Sequence, residues 1–559
     1  VTKPEGIRNL ALVSHGGAGK TTLAEAMLYL AGAIDRLGRV DEGTATMDYD
    51  PEEVRRKVSI STSLAPVRWG DCKINIIDTP GYFDFVGEVK AGMRVAEAAC
   101  VLCDAVAGVE VGTELVWGYA AERDLPCLFF VNKMDRENAS FRRTLEGLQQ
   151  NMGRGVVPVT IPIGAEAGLR GVVDLVAERA LIWDGSAQPR EAEVPEDMAD
   201  EVKAYRSQLI EAAAEGSDDL LMKYLEGEEL TSDEIWRGLA AGVRERKVFP
   251  VLAGSALRVL GVASLLDAVV KLVPSPAQCP VRAETPEGEP CECAPDPDAP
   301  FAALVFKTTA DPYVGRMSLF RVYSGKLQSD SLAYNATRGR VERVGQLFFL
   351  KGKHQEPTAE VGPGDIGTVA KLQETATGDT LCDQAHPVRL PGIAFPSPVY
   401  AVAVSPRARG DEEKISASLA RLAEEDPTFR VEKNAATGQM LIYGMGELHL
   451  DVIVERLRRK FGVEVNLEAP RVPYRETVRQ AVKAEYKHKK QTGGRGQYGH
   501  VFLEIEPAEP DKEFEFGERI FGGAVPKQYI PAVEKGVREA MQEGVLAGYP
   551  VTGVKVTLY

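Results

Sequence analysis

Residues 14–21 read Ser14-His15-Gly16-Gly17-Ala18-Gly19-Lys20-Thr21. An apolar run at 10–13 precedes them and a helical pattern over 22–33 follows. Strand, glycine-rich turn and helix in that order are the setting of a phosphate-binding loop, and they predict an α/β domain around it. The glycines at 16, 17 and 19 let successive backbone N–H groups turn inward on a polyphosphate at the helix N-terminus, with His15 and Ala18 between and beside them. Lys20 is then placed to reach the terminal phosphates. The Thr21 hydroxyl is placed to hold Mg²⁺, with Thr22 beside it at the helix start. Such loops usually begin with Gly or Ala, so Ser14 is a departure, although a small one. A loose glycine-rich match often arises by chance; here strand and helix flank it on the correct sides.

Two later segments select the base. Asn132-Lys133-Met134-Asp135 follows an apolar strand at 127–131. The Asp135 carboxylate can accept two hydrogen bonds from the N1–H and N2–H₂ edge of guanine, and adenine has no matching pair of donors. The Lys133 stem can cover one face of the ring while Asn132 braces the loops. Gly254-Ser255-Ala256-Leu257 follows a second apolar run at 248–253 and can offer a backbone N–H to guanine O6. Either tetrapeptide alone reads equally well as a polar loop after a strand. Both, in this order after a phosphate loop, point to GTP and GDP, and they disfavour a generic ATPase. Between them and the loop lies Asp78-Thr79-Pro80-Gly81, after a strand at 74–77. A carboxylate ending that strand can hold Mg²⁺ through water, and the Gly81 N–H can sense a γ-phosphate.

The 559 residues are too many for one core, so several domains are expected. No apolar run approaches a membrane span and no signal peptide opens the chain, so a cytoplasmic protein without a membrane partner is expected. The eight cysteines form no framework. Cys100 and Cys103 have metal-ligand spacing but sit in an apolar strand without a second pair, and read as core thiols. The net charge of −16 argues against a general nucleic-acid binder. Residues 479–495 run the other way. Arg479, Lys483, Lys487, Lys489, Lys490 and Arg495 face only Glu485, before Gly496-Gln497. This segment is either a solvated hairpin tip or, as we read it, a finger that contacts phosphates.

The strand–helix alternation from residue 7 to 275 is interrupted after Gly171-Val172-Val173-Asp174. The interruption includes an acidic helical stretch at 198–225 and a helix after Thr231-Ser232-Asp233-Glu234. We expect a domain over 1–275 with a subdomain inserted at about 172–248. A linker rich in Pro, Glu and Asp follows, through Pro300. Short strands with turn signals then predict a small β-barrel within 276–394. Alternating strands and helices over 395–470 read as an α+β unit, and a last unit begins at 471. The chain starts at Val1 and stops at Tyr559 inside a strand, so both ends are expected to be incomplete.

With these residues in hand, the chain resembles bacterial elongation factor G, the ribosomal translocase, along its whole length. The likeness is carried by the nucleotide motifs, by Asp311-Pro312-Tyr313-Val314-Gly315-Arg316, and by Glu425-Asp426-Pro427-Thr428-Phe429-Arg430. It continues through Gly444-Met445-Gly446-Glu447-Leu448-His449-Leu450-Asp451 and Gly493-Gly494-Arg495-Gly496-Gln497-Tyr498-Gly499-His500. The resemblance implies a multidomain fold: an α/β P-loop GTPase domain with an inserted subdomain, a β-barrel domain II, and α+β domains III and IV. Domain IV would be present in its N-terminal part only, with domain V absent. It implies a monomeric translation factor whose partner is the ribosome: rRNA, ribosomal proteins, and tRNA-mRNA in the A site. Three positions depart from the family pattern. Gly17 stands where the phosphate loop usually has Asp. Tyr82 stands where the sensor loop has His. Ser59 aligns with the usual Mg²⁺-binding Thr and keeps the hydroxyl, so Thr21, Ser59 and Asp78 form the implied metal set. A phenol is a weak base near neutral pH but can still place a water. Lys20, Gly81 and Tyr82 are therefore the implied catalytic groups, and the pattern resembles that of a divergent paralogue. Two functions remain open at this point: a ribosome-stimulated GTPase acting in translocation, and a GTP-gated ribosome ligand that hydrolyses poorly and protects, splits or recycles ribosomes.

Overall fold

The computed structural model describes residues 2–183, 189–311, 315–408, 410–491, 493–494 and 496–559. Pro312, Tyr313 and Val314 of the barrel motif, and Arg495 of the basic segment, lie outside the described residues. The described chain divides into two compact units, residues 1–432 with 440–468, and residues 433–439 with 469–559.

The first unit opens with a seven-stranded sheet. Its order is Ser63–Trp69, Cys72–Asp78, Ile7–Ser14, Ala98–Asp104, Cys127–Asn132, Phe249–Ala253, Val156–Pro158. The first strand is antiparallel to its neighbour and the remaining pairs are parallel. Central strands are apolar almost throughout, as burial on both faces requires. Leu10, Leu12, Ile74, Ile76, Phe129 and Phe130 are fully buried. The register sets Leu12 beside Asp78, Asp104 beside Asn132 and Val131 beside Ala253. The C-terminal ends of these strands therefore finish close to level, which is where open α/β sheets place ligands.

Element boundaries differ from the sequence pattern in instructive ways. The helix expected over 22–33 is Lys20–Leu30, starting directly from Gly19. It stops early because Gly32 adopts a left-handed φ of 66°, and Ala33 N–H closes back on Leu28 O. The acidic stretch at 198–225 is two helices, Ala199–Ala214 and Asp218–Leu225, broken at Gly216 and Ser217. With Ser232–Arg244 they accompany a separate four-stranded antiparallel sheet running from Thr160–Ile163 to Arg190–Ala192. The acidic linker after the first domain is partly ordered. Val281–Glu284 and Pro290–Cys293 form a hairpin, and its Ala283 and Cys293 pack with Ala302, Leu304, Cys382 and Leu390.

The following region is an eight-stranded antiparallel sheet around a core of Val305, Phe320, Val322, Leu347, Val369 and Leu381. Beyond it, helices Glu412–Glu425 and Glu447–Phe461 pack on a four-stranded sheet through Ile415, Leu419, Ile442, Leu450 and Ile453.

The second unit is built on a four-stranded sheet ordered Val482–Lys490, Gln497–Pro507, Val554–Leu558, Phe514–Glu518, with the helix Ile530–Ala540. Val482–Lys490 pairs antiparallel with Gln497–Pro507, Lys490 opposite Gln497, so the basic segment lies on a hairpin. Lys487, Lys489 and Lys490 are exposed on its first strand. Among the described residues, no helix is long and apolar enough to cross a membrane.

Candidate nucleotide site

The phosphate loop is closed by its own lysine. Lys20 Nζ donates to Ser14 Oγ at 2.8 Å and to His15 O at 3.5 Å. Gly17 and Gly19 have φ of 82° and 99°, conformations that suit glycine. His15 is held from the side: its Nδ1 accepts from Gly112 N–H at 3.2 Å, and its Nε2 lies 3.6 Å from Glu110. A cavity of about 450 Å³ opens in front of the loop. Gly16, Gly17, Gly19, Lys20, Thr21, Thr22, Ser59, Gly81, Tyr82, Asn132, Lys133, Asp135 and Leu257 border it. Of the other expected site residues, His15, Ala18, Asp78, Ser255 and Ala256 lie outside that lining.

The loops at 132–135 and 254–257 are tied to the glycine-rich loop through one asparagine. Asn132 Nδ2 donates to Ala18 O at 2.9 Å, and Ala256 N–H donates to Asn132 Oδ1 at 2.9 Å. Lys133 takes a left-handed φ of 63°, which carries its stem back over the loop. Its Nζ donates to Gly17 O at 2.6 Å and to Asp104 Oδ2 at 2.8 Å. Burial raises Asp104, but the Lys133 bond and the Val106 N–H outweigh it and hold the carboxyl below its usual range. Asp135 and Leu257 both line the cavity, and Ser255 is fully buried.

Thr21 Oγ1 and Ser59 Oγ lie 3.0 Å apart. This is the spacing of two neighbouring corners of an octahedron with bonds of about 2.1 Å, the geometry that Mg²⁺ demands. Two buried carboxylates accompany them. Asp78 Oδ1 and Asp48 Oδ2 have no hydrogen-bond partner among the described residues. Burial pushes Asp78 up to about 8, with Asp48 repelling it further and Thr21 and Lys20 opposing. Burial likewise raises Asp48, against a hydrogen bond from Ser59 and the charge of Lys20. Lys20 is pushed down to about 8 by burial, against attraction from Asp78 and Asp48. Hard oxygen donors with unused lone pairs, in a desolvated setting that disfavours bare charge, fit a divalent cation.

Asp48 was not evident from the sequence, and neither were two glutamates that hold its segment in place. Glu25, on the helix after the phosphate loop, accepts from Thr46 N–H at 2.6 Å and Met47 N–H at 3.0 Å. Glu53 accepts from Asp50, Ile60 and Ser61 N–H at 3.0, 2.9 and 3.0 Å, and burial carries it up to about 7. Residues 46–61 are thus fastened at both ends by carboxylates, of which Glu25 carries no motif of its own and Glu53 closes a capping box with Asp50.

Both segments that flank the cavity also dock on the helix Glu447–Phe461. From the first, Asp50 Oδ1 accepts from Arg459 at 2.8 Å, and Arg456 lies 3.5 Å from Asp50 Oδ2. Ser61 Oγ accepts from Arg456 at 3.3 Å. From the second, Asp84 Oδ1 accepts from His449 N–H at 3.3 Å. Ile60 and Phe85 then pack together against Val452. His449 is itself fixed by Asp426 at 2.9 Å. Burial raises Asp426, yet the bond and charge of His449 and the Thr428 bonds bring it below its ordinary value.

Comparison with known proteins agrees with this arrangement. The model of the elongation factor Tu GTP binding domain matches residues 5–275. Those of elongation factor G domain 2, domain III and domain IV match residues 300–384, 395–469 and 470–559. A crystal structure from Thermus thermophilus is 37% identical, over 99% of this chain and 81% of that one, with a TM-score of 0.86. The chain belongs to the elongation factor G-like translational GTPases. A guanine-nucleotide site is the coarse function that membership carries, and the motifs quoted above fall where this elongation factor G-like chain brings its strand ends together.

Proposed function

We propose that this protein is a cytoplasmic, monomeric, ribosome-stimulated GTPase that couples GTP hydrolysis to movement of tRNA-mRNA. One observation carries the reading: the two segments bordering the γ-phosphate end of the cavity dock on a single helix, Glu447–Phe461. A change at the phosphate therefore reaches a body remote from the nucleotide. The proposed domains are 1–275 with an insert at about 172–248, then 276–394, 395–470 and 471–559.

In this reading Asp135 pairs with the guanine edge, and Lys133 and Asn132 hold the loops around it. Ser255, Ala256 and Leu257 close the base side. Thr21 and Ser59 would hold Mg²⁺ through their hydroxyls, with the carboxylates of Asp78 and Asp48 as the neighbouring acceptors. When bound, Mg²⁺ would supply positive charge that offsets the charge developing on the phosphates. Lys20 shares that task once phosphate draws it from Ser14. Water attacks the γ-phosphorus, the bond to the β–γ bridging oxygen breaks, and GDP and inorganic phosphate result. Gly81 offers its N–H to the γ-phosphate; a side chain there would collide with Lys20 Nζ at 2.5 Å and with Gly16 Cα at 2.9 Å. Tyr82 places the attacking water through its hydroxyl. The exposed lysines of the 482–507 hairpin supply the contact to rRNA.

A second reading, a GTP-gated ribosome ligand with poor hydrolysis, is favoured by Tyr82 itself, since a phenol lacks the basic nitrogen of imidazole. Multiple-turnover hydrolysis by the full-length protein, with and without 70S ribosomes, separates the two. Turnover is expected to be negligible alone and measurable with ribosomes. Tyr82→Phe should reduce it and Tyr82→His should match or exceed it. No stimulation under conditions where ribosome binding is demonstrated would leave the ligand reading in place.

A further inference from the structure

We propose that Gly16 is a positioning residue whose missing side chain seats the Tyr82 ring across the phosphate loop; this rests on the GTPase reading and deepens it. Gly17 and Gly19 have left-handed backbones, but Gly16 does not. Its φ is not positive, so no left-handed backbone calls for glycine there. The neighbouring ring does. A Cβ at 16 would stand 3.4 Å from Tyr82 Cε2, 3.5 Å from Tyr82 Cδ2 and 3.5 Å from Gly81 O. A methyl would just touch the ring. The γ-carbons of a branched side chain, about 1.5 Å further out, would need the volume that the ring occupies.

The next residue repeats the device. Phe83 meets the His15 ring edge-on, with centroids 5.9 Å apart, and His15 is anchored by Gly112 N–H and Glu110. Consecutive aromatics of the sensor segment thus rest on consecutive residues of the phosphate loop. Tyr82 lines the cavity with Gly81 and Lys20, yet the residue is 44% exposed. A half-exposed ring, whose hydroxyl has no hydrogen-bond partner among the described residues, depends on the surface beneath it for orientation. Gly16 provides that surface, and so a chain that carries tyrosine at 82 is matched to glycine at 16.

The test is a double-mutant cycle in the full-length protein with ribosomes at saturating GTP, combining Gly16→Val with Tyr82→Ala. Gly16→Val should lower kcat at least about tenfold when Tyr82 is present and less than about twofold in the Tyr82→Ala background, because it acts through the ring. Gly16→Ala, whose methyl stops at contact distance, should lower kcat by clearly less than Gly16→Val does when Tyr82 is present. An equal loss from Gly16→Val in both backgrounds would overturn the proposal. A second readout needs no turnover: difluorotyrosine placed at position 82 and followed by fluorine NMR with GDP and with GTPγS. Gly16→Val should move that resonance towards the position of the free amino acid; an unmoved resonance also overturns the proposal. A wild type without ribosome-stimulated turnover sinks the GTPase reading, while the fluorine spectrum still decides the seat.

Discussion

Replacing Asp50 should unfasten residues 46–61 from the helix Glu447–Phe461 without touching the phosphate loop. The carboxylate does two jobs. It caps the helix Pro51–Arg56, accepting from Glu52 N–H at 3.0 Å, in a capping box closed by Glu53. It also neutralises Arg459 and Arg456, whose side chains are 31% and 14% exposed, while its own is 19% exposed. Loss of the cap costs about 1 kcal/mol. An exposed ion pair is worth about 0–1 kcal/mol and breaking a buried one costs about 3–5, so this half-buried pair lies between, at about 1–3. The sum, about 2–4 kcal/mol, is roughly a 30- to 700-fold rise in the opening equilibrium at about 1.4 kcal/mol per decade. Hydrogen exchange of the 46–61 amides, with GTPγS and Mg²⁺ present, reads that equilibrium directly. Asp50→Ala should exchange faster by that range. Asp50→Asn, which retains a capping oxygen, should recover about the first 1 kcal/mol. Burial raises Asp50, but the Arg459 bond and the Arg456 charge overcome it and leave the carboxyl below its ordinary value. Its contribution is therefore complete above the unfolded carboxylate range, near about 4, and is lost only as pH falls through the lower folded value. The wild type and Asp50→Asn should thus converge in acid and differ at neutral pH. Exchange rates for Asp50→Ala within about threefold of wild type would refute the clamp.

Asp135→Asn should lose about 1–3 kcal/mol of GTP affinity and gain affinity for xanthine nucleotides, whose C2 carbonyl suits an amide donor; calorimetry that finds ATP and GTP bound equally by the wild type would remove the base assignment. Thr21→Ala should weaken Mg²⁺-dependent nucleotide binding by about 10- to 100-fold or more, and Asp48→Asn by about 10- to 100-fold, measured by titrating Mg²⁺ against a fluorescent GTP analogue; an effect of Thr21→Ala with metal chelated that equals its effect with metal would argue against the metal role. Charge reversal at Lys489 and Lys490 should weaken ribosome pelleting and flatten its dependence on salt, whereas pelleting unchanged across salt concentrations would count against the finger.

The runs at 14–21, 78–81, 132–135 and 254–257 stand out in the sequence because each is contiguous and depends on near neighbours, and residues of all four border one cavity. The sheet needed only apolar strands such as 74–77 and 127–131 in alternation with helices. What the sequence hid are groups whose meaning depends on chain closure. Asp48 lies 27 residues from Thr21 and joins it only because Glu25 fastens Thr46 and Met47 to the helix behind the phosphate loop. A glutamate on a helix is ordinary in composition; nothing local marks Glu25 or Glu53 as buried. The hairpin at 281–293 was obscured differently. Proline and acidic residues suggested a linker, although the apolar alternation of Val281 with Ala283 and of Cys291 with Cys293 was present. The end of the first helix was signalled by Gly32, which outweighs the apolar pattern that continues past it.

On the proposed reading, the same closure explains why residues 46–62 should behave as a switch with two states and few between. Glu88, on the helix Val86–Arg94 behind the sensor loop, accepts from Thr62 N–H at 2.6 Å and from Lys307 Nζ at 2.7 Å, and Lys307 also donates to Thr62 O at 2.9 Å. Arg456 and Arg459 depend on Asp50 in the same way. Half-release would cost Lys307 the Thr62 carbonyl while it keeps Glu88, and would leave the largely buried Arg456 without its carboxylate, which costs more than full docking. A segment that meets this penalty at both edges leaves them together. On the proposed GTPase reading, the free energy of γ-phosphate contacts would act on the whole of 46–62 at once, and through Lys307 and the helix Glu447–Phe461 on two other regions of the first unit.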